Sequence, residues 1–110
     1  MNTKHTDTYL RFLALTSRAS LPCDLVATKL LQVIAVHGED HMTVTEVMNQ
    51  GDIASPASLH RKLDDLLTLG LVSLNYRGAN RRTKYVAPTK LAEAYFHQMG
   101  KAISEAAVNG

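Results

Sequence analysis

The sequence predicts an α+β fold that is mostly helical and contains one small β-hairpin. Apolar residues at helical spacing or helix-capping residues mark five segments, and only the stretch between Val72 and Pro88 alternates apolar and polar residues as β-strands do. The length of 110 residues and an apolar content of 45% are those of one ordinary globular domain. We therefore expect a single domain over residues 1–110.

The first two helices follow from apolar spacing and from a proline. Tyr9, Phe12 and Leu13 lie on one face of a predicted first helix. Ser20 and Pro22 have the residue types of a helix cap and first turn, and the segment after them is apolar on most sides. We therefore expect the second helix to be central and largely buried.

Two shorter helices joined by a tight turn follow. Thr43 and Glu46 have the spacing of a capping box, in which each residue satisfies a free backbone N–H group of the first turn. Ser55 is a typical N-cap with Pro56 at the first helical position, and leucines recur on one face until Gly70. Two short helices with a glycine-containing turn between them form a helix-turn-helix.

A β-hairpin and a last helix complete the predicted chain. The apolar residues of VSLNY and TKYVAP alternate on either side of a glycine-containing loop, RGANRR. Thr89 can cap the last helix, whose small residues and Gly100 suggest that another helix approaches closely, either the first helix or one from a second chain. Its predicted seam is Ala92, Tyr95, Met99, Ala102 and Ala106. The predicted bounds are 7–19, 21–37, 43–50 and 55–69 for helices 1 to 4, 72–88 for the hairpin and 90–108 for the last helix.

Positive charge is concentrated in one part of the chain. Residues 59–90 carry seven basic and two acidic side chains, a net charge of +5, whereas the remainder carries −3. Such an asymmetry indicates a surface that faces a polyanion. The N-terminus is too polar for a secretory signal and no apolar run spans a membrane, so we expect a cytoplasmic protein.

Helix 4 has the residues of a DNA-recognition helix at its N-terminal end. A helix in the major groove reaches base edges with its N-terminal, solvent-facing side chains, and arginine can donate two hydrogen bonds to guanine. Serine hydroxyls and free backbone N–H groups can hold phosphates. The alternative is an ordinary solvated helix face. The candidate DNA-binding residues are Ser55, Ala57, Ser58, His60, Arg61 and Lys62.

The hairpin supplies the second candidate DNA-binding group. Arg77, Arg81, Arg82 and Lys84 cluster around a predicted protruding loop. Arginine suits phosphates and a narrow minor groove because its guanidinium is planar, always charged and weakly hydrated. An isolated basic hairpin can also be a solubility feature, but one that follows a helix-turn-helix favours DNA contact.

Other candidate sites are weaker, and the chain is predicted not to be an enzyme. His37 and His41 flank a glycine that breaks the helix between them, so they lack the fixed spacing of a zinc-binding helix and indicate a polar turn. Cys23 is read as a partly buried cysteine; a redox role stays open. No nucleophile with its base and no phosphate-binding loop can be assembled, so we expect no metal and no cofactor.

Several motifs together resemble the MarR-type bacterial transcription regulators. Ser58, Leu59, Arg61, Leu63 and Leu66, followed by Gly70-Leu71-Val72, are similar to that family's recognition helix and its entry into the wing, and YVAPTKLAEAYF is similar to its second wing strand and last helix. The resemblance implies a winged helix-turn-helix with flanking terminal helices. It also implies a transcriptional regulator that binds double-stranded DNA.

The resulting hypothesis is a homodimer, formed through the first and last helices, that binds a pseudo-palindromic DNA site. The recognition helix would enter the major groove, and the basic wing would contact phosphates or the minor groove. Two alternatives remain: a winged-helix module for protein–protein assembly, and a DNA-binding protein of replication or plasmid maintenance. A small-molecule effector is left open.

Overall fold

The computed structural model describes residues 3–108 and is a mixed α+β structure, as the sequence predicts. Its three strands form one antiparallel sheet in the order β1-β3-β2. None of the helices in this range is both long and apolar enough to cross a membrane. The elements are α1 (Thr3–Leu15), α2 (Leu25–Val36), β1 (Met42–Thr43), α3 (Val44–Met48), α4 (Pro56–Thr68), β2 (Val72–Arg77), β3 (Asn80–Pro88) and α5 (Lys90–Val108).

The chain divides into two compact units. Pro22–Ala92 forms the larger unit, which contains α2, α3, α4 and the sheet. The chain up to Leu21 and from Glu93 onward forms the other unit, which contains α1 and most of α5. Both groups of candidate DNA-binding residues therefore belong to the larger unit.

The first two helices differ from their predicted bounds. α1 begins earlier than residue 7 and ends at Leu15, where the Thr16 hydroxyl donates a hydrogen bond to the carbonyl of Phe12. α2 does not begin at the Ser20 cap. Asp24 is its N-cap instead, because the Asp24 carboxylate accepts a hydrogen bond of 2.8 Å from the N–H of Ala27. An aspartate cap on this first turn satisfies a free N–H group, so the helix starts there.

The core of the larger unit is built from one face of α2 together with α4 and the sheet. Full burial of one leucine or isoleucine side chain contributes about 1.5 to 3 kcal/mol to the free energy of folding. The expectation that α2 is largely buried holds for this face only, since Leu25 and Val36 are 68% and 85% exposed. The largest buried side chains are Leu30, Leu31, Ile34, Val47, Leu59, Leu66, Leu71 and Val86.

The local signals of α3 and α4 are confirmed. Thr43 and Glu46 form the predicted capping box, and Ser55 caps α4 with Pro56 in its first turn. At the end of α4, the N–H of Gly70 donates a hydrogen bond to the carbonyl of Leu67, and the N–H of Leu71 donates one to the carbonyl of Leu66. Gly70 has a positive φ of +74°. This is the Schellman arrangement, which favours glycine because other residues rarely adopt that φ.

The hairpin has its predicted bounds, but its strands are longer and its turn is shorter than the sequence suggests. Only Gly78 and Ala79 connect β2 to β3, and Gly78 has a positive φ of +55°, as the first position of a tight hairpin turn requires. The prediction of a protruding RGANRR loop is wrong, because its arginines belong to the strands. The sequence also gave no sign of β1, which pairs Met42 with Val86.

α5 begins where predicted and buries the predicted face. The Thr89 hydroxyl accepts a hydrogen bond from the N–H of Ala92 and donates one of 2.6 Å to the carbonyl of Gly70. Ala102 and Ala106 are buried. A Cβ built at Gly100 would meet no atom within 4 Å, so the described part of the chain contains no helix approaching this glycine closely.

Candidate nucleic-acid interface

The first turns of α4 present exposed polar groups on an ordered frame. The Ser55 hydroxyl accepts a hydrogen bond of 3.3 Å from the N–H of Ser58, and the Arg61 guanidinium donates one of 3.2 Å to the Ser58 hydroxyl. Ala57, His60 and Arg61 are exposed, whereas Leu59 beside them is fully buried. The helix therefore anchors its apolar face in the core and leaves these side chains free to meet a partner.

Lys62 differs from its neighbours, because its ammonium forms an ion pair with Asp24 at the N-cap of α2. A second carboxylate, that of Asp65, lies 4.0 Å away, and the Lys62 side chain is only 23% exposed. The backbone N–H of Ala27, and next the hydrogen bond from Lys62, lower the pKa of Asp24. Lys62 thus ties α4 to the start of α2, and its role as a DNA-binding residue stays a prediction.

Arg82 and Lys84 of β3 are the freest cations of the hairpin. Both are exposed, and within residues 3–108 their charged groups make no hydrogen bond or ion pair. The backbone N–H of Arg82 donates a hydrogen bond of 2.9 Å to the side chain of Asn80, which orders the start of the strand. Two unpaired cations on an ordered strand are suited to bind an anion.

Arg77 and Arg81 lie against tyrosine rings. The Cζ atom of Arg77 is 3.8 Å from the ring centroid of Tyr85, and the Cζ atom of Arg81 is 5.3 Å from that of Tyr76. The Arg77 guanidinium also donates a hydrogen bond to the backbone carbonyl of Asp40. Arg77 is therefore engaged within the protein, whereas Arg81 keeps its hydrogen-bond donors free.

No carboxylate of the described residues pairs with any of the four hairpin cations. The ion pairs of the larger unit involve α2, α3 and α4 and the turn before β1, not the hairpin. Positive charge is therefore not neutralised along β2 and β3. Because an uncompensated cation cluster attracts counter-ions, this part of the unit has the electrostatics that a polyanion requires.

An open cleft of about 480 Å³ lies beside the free cations of β3. Threonines from β1, α3 and β3 share its lining with Arg82 and Lys84. The sequence did not indicate this cleft, since it depends on β1 pairing with β3 through Thr43 and Tyr85, which are distant along the chain. No local pattern identifies so short a strand.

A second, mostly apolar groove of about 610 Å³ lies between α2 and α3. Its apolar lining includes Val33, Val36, Met42 and Ile53, and Lys29 is among its polar lining residues. This groove follows from the exposed side of α2, on which Val36 is 85% exposed.

The predicted polar turn at His37 has defined contacts. The Nδ1 atom of His37 lies 3.3 Å from the Asp40 carboxylate and its Nε2 atom 3.8 Å from that of Glu46. Among residues 3–108, no cluster of three or more His, Cys, Asp or Glu side chains is arranged to hold a metal ion. Cys23 is partly buried, with its Sγ atom 3.4 Å from the Thr28 hydroxyl.

Comparison with known proteins assigns no family to the chain. No protein-family model matches it, and no curated protein matches it significantly.

Proposed function

We propose that this chain is a sequence-specific DNA-binding transcriptional regulator with a MarR-like winged helix-turn-helix. In this proposal, α3 and α4 are the helix-turn-helix and the β2–β3 hairpin is the wing. Arg61 reads a base in the major groove, while Arg81, Arg82 and Lys84 bind phosphates or the minor groove. Occupation of an operator blocks or recruits polymerase, and no catalysis is required.

One observation carries the proposal: an exposed polar helix start and an unneutralised basic hairpin belong to the same compact unit. The arrangement of α3, turn, α4, β2 and β3 is compatible with a helix-turn-helix followed by a wing. The α4 side chains supply hydrogen-bond donors suited to base edges, and the hairpin supplies charge. DNA binding needs both kinds of contact, because phosphates position a protein and base edges specify the sequence.

We further propose that the regulator is a dimer formed by α1 and α5. Tyr9, Leu13 and Ile103 in this unit are 59%, 43% and 58% exposed, an apolar surface that a second copy would cover. A two-fold dimer presents two recognition helices to half-sites about 34 to 36 Å apart on the DNA, so it binds a pseudo-palindrome.

The test is selection of bound sequences from a random duplex pool at physiological salt. We expect enrichment of a pseudo-palindromic site, and we expect Arg61→Ala to lose the enrichment while retaining weak general binding. Arg18→Ala is the matched control, since Arg18 is exposed in the turn after α1 and outside the proposed interface. Absence of enrichment for the wild-type protein contradicts the proposal and favours a module for protein assembly.

A further inference from the structure

We infer that Arg77 is a positioning residue, which holds the hairpin in place for DNA, and not itself a DNA contact. The inference rests on the proposed DNA-binding function and refines it. The inference assigns Arg77 a different role from Arg82 and Lys84, although all three are positively charged and close together in the sequence. The evidence is the set of contacts that Arg77 makes inside the larger unit.

The hairpin needs an additional contact to fix its position because its two strands are paired irregularly near the turn. Asn75 pairs with Tyr85, and Arg77 pairs with Asn80. Between these two pairs β2 advances two residues, whereas β3 advances five. The segment of β3 that carries Arg81 and Arg82 therefore bulges away from regular pairing, so the ladder alone fixes its position weakly.

Arg77 makes one contact across this irregular pairing and a second one to the turn before β1. Its guanidinium stacks on the ring of Tyr85, with its Cζ atom 3.8 Å from the ring centroid, which joins the end of β2 to β3 beyond the bulge. It also donates a hydrogen bond to the backbone carbonyl of Asp40, in the turn that precedes β1. Planar guanidinium is suited to this double role, because it stacks with its face and donates with its edge.

The turn at Asp40 is itself anchored. The Asp40 carboxylate lies 3.3 Å from Nδ1 of His37 at the end of α2, and the N–H of His41 donates a hydrogen bond of 3.2 Å to the carbonyl of Gly38. Tyr85 in turn pairs with Thr43, the N-cap of α3. Arg77 thus connects the hairpin to the start of the helix-turn-helix, and its loss would let the cations of β3 drift relative to α4.

The experiment compares replacement of the charged residue with replacement of the uncharged residue of the same contact. Arg77→Ala and Tyr85→Leu each remove the stack, but only the first removes a charge. Tyr85→Phe keeps the ring and is the matched control, while Arg82→Ala removes a free cation. Affinity for a mixed-sequence duplex is measured over a range of salt concentrations for every variant, and thermal melting checks the fold.

We expect Arg77→Ala and Tyr85→Leu to weaken binding by about two- to fivefold, the size of one exposed cation–π contact, with the salt dependence of the wild type. Tyr85→Phe should bind as the wild type does. Arg82→Ala should instead flatten the slope of log affinity against log salt by about 1. If Arg77→Ala flattens the slope as Arg82→Ala does while Tyr85→Leu has no effect, Arg77 is a phosphate contact and the inference is wrong.

A measurement without DNA separates this inference from the proposed function. In the free protein, the ring current of Tyr85 should shift the Arg77 δ-methylene NMR signals upfield, and Tyr85→Leu should abolish the shift and accelerate amide exchange around the bulge. If the wild type shows this upfield shift but does not bind DNA, only the proposed function is rejected. Absence of the shift in the wild type rejects the contact itself, whatever the protein binds.

Discussion

Arg61 and Lys62 are adjacent cations of α4 with different surroundings. Arg61 is exposed, and within residues 3–108 its guanidinium hydrogen-bonds only to Ser58, whereas Lys62 is paired with Asp24 at the N-cap of α2. The sequence could predict that both lie near the start of α4, because Ser55 and Pro56 mark that start locally. It could not separate their roles, since the partner of Lys62 is 38 residues away.

Arg61→Ala should therefore weaken binding to the preferred site by about 1 to 3 kcal/mol and relax the preference at one position of each half-site. The reason is the loss of a guanidinium that can donate two hydrogen bonds to one base. Affinity measured on the selected site and on variants of each base pair checks this expectation. Equal weakening on all sequences would make Arg61 a phosphate contact.

Two carboxylates give the protein a predictable response to acid. The backbone N–H of Ala27 and then the Lys62 ammonium lower the pKa of Asp24 below its ordinary value of 3.8, and the Thr43 N–H and hydroxyl lower the pKa of Glu46 below 4.5. The unfolded chain then binds protons more readily than the folded one. The stability that Asp24 and Glu46 give to the folded protein is therefore complete above their ordinary pKa values. It is lost as the pH falls through their lower pKa values in the folded state.

Urea unfolding at a series of pH values tests this response. The wild type should lose stability as the pH falls below about 4.5, and Glu46→Gln should show a smaller loss because one of the two carboxylates is gone. Glu93→Gln is the control, since Glu93 is exposed and makes no hydrogen bond or ion pair among the described residues. An identical acid response of wild type and Glu46→Gln would contradict the assignment.

At the scale of elements, local signals were predictable and long-range pairings were not. The capping box of α3, the Ser55 cap and the Thr89 cap each depend on residues within three positions. The start of α2 was misplaced because Ser20 and Asp24 are both plausible caps, and Asp24 gains the additional ion pair with Lys62. Strand β1 was missed because two residues have no periodicity.

The hairpin illustrates the same limit for the candidate interface. The sequence grouped the four cations of the hairpin, but it placed Arg77, Arg81 and Arg82 in a loop, whereas these arginines lie on β2 and β3. Whether a cation is free or engaged depends on tyrosines across the ladder and on the turn at Asp40, which no local pattern reveals.

Gly100 offers a test of packing in α5. Gly100→Ala should raise the free energy of unfolding by about 0.5 to 1 kcal/mol, because alanine favours the helix and its Cβ meets nothing within 4 Å. Gly70→Ala should lower stability instead, because Gly70 has a φ of +74°. Urea unfolding of both variants provides the comparison. A destabilised Gly100→Ala variant would indicate that a second chain packs against this position.

At the scale of the whole molecule, dimerisation through α1 and α5 has a direct test. Ile103→Glu should give a folded monomer, because Ile103 is 58% exposed in the single chain and a carboxylate there is tolerated only when no partner covers it. Sedimentation at micromolar protein should show a dimer for the wild type and a monomer for the variant. A monomeric wild type, with and without DNA, would exclude this part of the account.

We propose that the larger unit binds DNA with its hairpin, and a salt titration measures the contribution of the hairpin cations. Each phosphate neutralised by the protein releases counter-ions, so Arg81→Ala/Arg82→Ala should weaken binding to specific and random duplexes alike and flatten the slope of log affinity against log salt by up to about 2 per hairpin. Arg18→Ala/Lys29→Ala removes the same charge from exposed positions outside the interface and should leave the slope unchanged. An unchanged slope in the hairpin variant, with thermal melting intact, would contradict the claim.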